Sequence, residues 1–160
     1  MFVLGNLKLE RLPIFSFLIR SEETGYYLHH NFVTRLLNDL FGIQSRAGCA
    51  CAGPYAQYLL GINNETAEAY MQMLYKKDEK SVNNEWVSNS LEIFKPGFTR
   101  LNLPFFYDDA KIDYILNAIK FVCENGWKFL SLYTFDITSG EFKHRTFKVN
   151  ITINFILYKI

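Results

Sequence analysis

The 160 residues suit one ordinary domain, and at 18.7 kDa such a chain buries roughly 70% of its unfolded surface. Half of the chain is hydrophobic (49%) and 21% is charged, which excludes a disordered composition. Seventeen basic against sixteen acidic residues leave a net charge of +1, excluding a broad electrostatic pull toward nucleic acid or an anionic membrane.

In chain order, residues 12–20 (LPIFSFLIR) read as a β-strand after a proline suited to a strand start, and 21–25 (SEETG) as a turn. Residues 31–41 place Phe32, Val33, Leu36, Leu37 and Leu40 on one helical face, with Asn31 the expected N-cap and Gly42 the stop. His29 and His30 are expected at that helix entrance, partly solvated. A short strand follows (43–46), then a small-residue loop (47–53) and a helix with Pro54 near its first position. Ala67, Tyr70, Met71 and Leu74 predict a second helix after the Asn63–Asn64 cap, and 76–90 a polar loop.

Pro96 and Gly97 precede a further strand, 98–106. The helix 108–125 carries Ile112, Ile115, Leu116, Ile119 and Cys123 at helical spacing; two aspartates open it and Asn125–Gly126 is its expected end. Cys123 reads as a small core residue. Two β-runs (127–135 and 141–148) flank Thr138-Ser139-Gly140 as a hairpin, and the segment 149–160 is an apolar, β-prone tail. Strand, helix, strand, helices, strand, helix, hairpin predicts an α+β domain, a small β-sheet covered by helices on one face.

The chemistry-bearing residues are few. Three cysteines form no disulfide framework, which with the lack of a secretory-leader pattern makes a reducing, cytoplasmic setting the expectation. The segment Arg46-Ala47-Gly48-Cys49-Ala50-Cys51-Ala52-Gly53-Pro54 admits three readings. It is a small-residue turn with incidental thiols, a reactive thiol, or a metal site with His29 and His30. The first needs least; the second places Cys51 before a helix start, where dipole and free amides lower a thiol pKa, with Arg46 as a second cationic influence. The third lacks fixed ligand spacing, so no metal is expected. Arg100 stands inside an apolar strand pattern, either as an outward-facing position or as a guanidinium fork for a carboxylate or phosphate. No P-loop, GxGxxG or Ser/His/Asp order occurs, and Lys143-His144-Arg145 is too small a cluster to imply nucleic acid.

Taken together, LPIFSFLI, LHHNFVTRLLNDLFGIQSRAGCACAGPY, FTRLNLPFF and a helix ending in GWKFL resemble class V aminotransferases of the cysteine-desulfurase-like kind. These are fold type I enzymes that use pyridoxal 5′-phosphate. The resemblance covers roughly residues 10–148 and only the C-terminal part of such an enzyme, so 1–148 is expected to be its small C-terminal domain and 149–160 a tail outside it. It implies that Cys51 is the thiol that takes up sulfur and that Arg100 holds the substrate α-carboxylate, with Arg46 beside the thiol in the substrate site. It further implies a small amino-acid substrate, a homodimer, and no nucleic-acid or membrane partner. The Schiff-base lysine, its acidic partner and the phosphate cradle belong to a large N-terminal domain whose motifs are absent here, so the chain alone is expected to be inactive. Two alternatives stand beside this one: a non-catalytic product that docks on a full-length partner, and a thiol carrier using Cys49 and Cys51.

Overall fold

The computed structural model describes residues 1–48, 53–77, 86–88 and 91–146. Cys49, Cys51, the 149–160 tail and most of the polar stretch 76–90 lie outside the described residues. The architecture is α+β. A four-stranded antiparallel sheet runs in the order β1-β2-β6-β3, from β1 (Phe2–Val3), β2 (Ile14–Leu18), β3 (Arg46–Gly48) and β6 (Phe98–Asn102). Four α-helices accompany it among the described residues: α1 (His30–Phe41), α2 (Gly53–Leu59), α3 (Asn64–Leu74) and α4 (Asp109–Asn125). Two small hairpins, β4 (Tyr75–Lys77) with β5 (Trp86–Ser88) and β7 (Tyr133–Phe135) with β8 (Phe142–His144), complete it.

Alternation along β6 decides which face is buried. Thr99 and Leu101 point with Phe17 of β2 into the core under α1, while Arg100 and Asn102 point to the other side. Thr99 Oγ1 donates to the His30 carbonyl at 3.4 Å, fastening the central strand to the first turn of α1. Phe32, Val33, Leu36 and Leu37 are almost wholly buried and meet Ile115, Ala118, Ile119 and Val122 of α4. Burying each such large side chain contributes about 1.5–3 kcal/mol.

The helices α3 and α4 are capped by side chains that the local sequence supplies. Asn63 Oδ1 accepts from the Thr66 N–H at 2.8 Å, and Asp108 Oδ1 from the Lys111 N–H at 2.8 Å. Gly42 closes α1 in the left-handed region (φ 66°), its N–H reaching Asn38 O.

Several expectations need correction. The N-cap of α1 is His29 rather than Asn31; Asn31 instead spends its amide on the Gly140 carbonyl, 2.8 Å away. His30 is buried, not partly solvated. The strand expected at 43–46 lies at 46–48, because Ile43 is taken into the close of α1 (its N–H bonds Leu37 O) and pairing with β6 decides where the strand begins. Residues 76–90 carry strand ends at 75–77 and 86–88, and the strand 98–106 stops at Asn102 ahead of Pro104. Leu40 and Leu116 are exposed.

The largest departure is after α4. Gly126 does not turn the chain left-handed (φ −54°); a tight 3-10 helix continues over Gly126–Leu132 where a strand was expected. Gly126 is small for a packing reason: a Cβ there would come within 2.9 Å of Leu28 Cδ1. Trp127 and Phe129 then pack against the core from that helix. Among the described residues no helix is long and apolar enough to cross a membrane.

Candidate functional site

The sheet brings together two of the three site residues that the sequence singles out. β6 lies between β2 and β3, and its Arg100 is the register partner of Ser16 on one side and Arg46 on the other. Register partners in antiparallel strands share a face with their Cβ atoms ~5 Å apart. The two guanidinium groups therefore rise from adjacent strands on the same side of the sheet, away from the core under α1. Arg100 is half-buried, Arg46 exposed.

Like charges directly opposite each other destabilise a strand pair. Neither arginine side chain has a hydrogen bond or ion pair with another described residue, so nothing in the described chain offsets that repulsion. A carboxylate or phosphate between the two forks would do so, with the planar bidentate geometry that arginine offers and lysine does not. The Ser16 hydroxyl sits next in the same row as a short neutral donor.

Beneath the adjoining turn lies a second polar group. The His29 and His30 rings stack with centroids 4.3 Å apart. His29 Nδ1 accepts the Asn31 N–H at 3.1 Å, which leaves the ring proton on Nε2, 2.8 Å from the Ile93 carbonyl it donates to. That bonding fixes the neutral tautomer. Burial lowers the pKa of His29 despite the Ile93 contact and brings that of His30 down to about 4, with the neighbouring His29 adding to it. Gly97, next to β6, is small because a Cβ there would meet Gly48 Cα at 2.8 Å and the His30 ring at 2.9 Å.

The residues described do not fit pyridoxal phosphate held by this chain. An imine-forming lysine needs a lowered pKa in a desolvated pocket. Lys95, which does line a cavity, is held 2.6 Å from Glu92 Oε1 and its pKa is raised, foremost by that hydrogen bond. Lys111 and Lys143 are exposed and paired to Asp108 and Glu141. Among the described residues no group of three His, Cys, Asp or Glu side chains could hold a metal.

Of the sequence-derived candidates, Arg46 and Arg100 come together, whereas Cys51 lies outside the described residues. Cys123 is partly buried against the core on α4, its thiol pKa raised chiefly by burial, as a packing residue requires. Sequence reasoning missed Ser16 and Lys95. Ser16 carried no signal beyond its place in an apolar run, since only strand pairing sets it beside Arg100. No family model, curated protein or solved structure matches the chain.

Proposed function

We propose that this chain is the small domain of a pyridoxal-phosphate-dependent enzyme of the class V aminotransferase, cysteine-desulfurase-like kind. In this reading Arg100, with Arg46 beside it, holds the carboxylate of a small amino-acid substrate, and Cys51 supplies the thiol. The fold type I likeness and the cofactor come from the sequence resemblance alone. What supports the site is one observation: the register that sets Arg46 directly opposite Arg100 with no acidic partner for either among the described residues. Pyridoxal phosphate, when bound, supplies the electron sink, and its lysine would come from a larger domain outside these residues. The chain by itself is then inactive, and its contribution is to bind and orient.

A second reading has its own support. Phe105 is 95% exposed and Phe106 68%, an apolar pair just beyond β6 that a free surface rarely carries. A non-catalytic chain docked on a full-length partner would cover such a surface.

The first test is calorimetric titration of the purified chain with succinate and with L-cysteine, against Arg100→Ala. Losing a charge-assisted bidentate contact weakens carboxylate binding by about tenfold or more, and without anion the variant melts no lower than the native chain, because the repulsion is relieved. Equal carboxylate binding by both proteins would sink the arginine site. An endogenous polypeptide of 18.7 kDa on a blot raised against residues 80–95, in place of one tens of kilodaltons heavier, would favour the docking reading over the enzyme domain.

A further inference from the structure

We propose that the cleft between the α2–α3 pair and the Lys95–Pro96 turn binds a small monocarboxylic acid with an aryl-sized apolar tail, independently of the arginine pair. The tail would occupy an inner chamber and the carboxylate would meet the Lys95 ammonium.

The chamber has a volume of about 180 Å³ and is walled by Ala56, Leu60, Ala67, Met71 and Leu74, with Lys95 at one side. An apolar cavity of about 150 Å³ is enough to take up a benzene ring. Two alanines face it where α2 and α3 could carry larger residues, so the space is left by the choice of side chain as much as by the backbone. Around Leu60, Ile62, Tyr70, Lys95 and Pro96 the chamber adjoins an outer cleft of about 500 Å³, which also has His29 and His30 in its wall.

Charge then selects the ligand class. Among the described residues lining both spaces Lys95 is the one carrying a formal charge, with Glu92 paired to it from outside the wall, because the two histidines are neutral. Its ammonium has three donors; one goes to Glu92 Oε1 at 2.6 Å and a second is engaged by the Tyr75 side chain, whose ring centroid is 5.8 Å away. The Lys95–Glu92 pair is about a third exposed on each side, so it contributes little, and the third donor is left for a second carboxylate. A dianion would bring a charge with no partner into an apolar wall, which is costly. A single carboxylate on a ring fits both halves.

The test uses benzoate, phenylacetate and benzyl alcohol as probes, followed by amide chemical shifts and calorimetry on the full chain. Benzoate or phenylacetate is expected to shift the amides of Ala56, Ala67 and Met71. Lys95→Met should weaken the acids by about tenfold and abolish their advantage over the alcohol. Ala67→Leu, which fills the chamber, should abolish the shifts of the chamber amides while its melt stays native-like and its affinity for succinate stays that of the native chain. The last outcome separates this site from the arginine site. The proposal is overturned if neither acid shifts the chamber amides, if benzyl alcohol shifts them as readily as the acids, or if a folded Ala67→Leu chain still shows those shifts.

Discussion

Acidification should unfold this protein through the two stacked histidines before the carboxylates titrate. His30 is 8% exposed, stacked on His29 and pressed against Gly97. Its pKa falls from 6.5 to about 4 on folding, first through desolvation and then through His29. Between those values the unfolded chain holds a proton that the native chain does not, so stability rises with pH across the window. The contribution is fully present above pH ~6.5 and is lost as pH falls toward ~4. Worked from that shift, His30 alone removes about 2 kcal/mol between pH 7 and pH 5, and about 3 kcal/mol by pH 4.

His29 adds in the same direction, because protonating Nδ1 would remove the acceptor that caps α1 at Asn31. Asp108 and Asp136, whose carboxyl pKa values are lowered mainly by backbone N–H donors from Lys111 and Ser139, act below the window that matters here. The assay is urea unfolding at pH 7.5, 6 and 5, on the native chain and on His30→Gln, which keeps a neutral polar side chain. The native chain should lose about 2 kcal/mol and the variant distinctly less. A native stability that stays flat from pH 7.5 to 5, or a variant with the same slope, would refute the reasoning.

Two further expectations rest on local geometry. Asn63→Ala removes the acceptor for the Thr66 N–H and should cost about 1 kcal/mol in thermal or urea unfolding; no loss would mean that α3 is held by packing alone. Gly97→Ala drives a methyl to 2.8 Å from a backbone carbon and 2.9 Å from the His30 ring, so a loss of about 1–3 kcal/mol is expected by the same assay. An unchanged melt would show that β3 and β6 can separate without penalty.

The legible parts of the sequence were those carried by period and by caps. The apolar face of α1, the Asn63 cap, the Asp108–Asp109 opening of α4 and the 138–140 turn all follow from signals within a few residues of themselves. What failed depended on distant partners. WKFLSL after Gly126 reads as a β-run, yet the close packing of Gly126 on Leu28 accompanies a helical backbone that sends Trp127 and Phe129 inward. The start of β3 is set by β6, fifty residues on, and no local pattern carries it. The same holds for the site. Arg46 and Arg100 were each visible as a cation in an awkward place, but their opposition is a property of register, and register is a tertiary fact.

That register also joins the buried and exposed sides of the sheet into one argument. Gly97 and Gly48 are in near contact at the point where β6 meets β3, and the His30 ring lies against the same spot. One residue pair further along, Thr99 is tied to the His30 carbonyl, and the next pair is Arg100 with Arg46. The register that sets the two arginines opposite each other is therefore held from behind, by a neutral buried imidazole and two residues without side chains. A surface ion pair would have needed none of this, since mobile side chains find one another over several ångströms at little gain. Two like charges on directly opposed residues of neighbouring strands make physical sense when a third group of opposite charge binds between them. In the proposed function the arginine pair is the half that takes the ligand, and the neutral half beneath it holds the two strands in register.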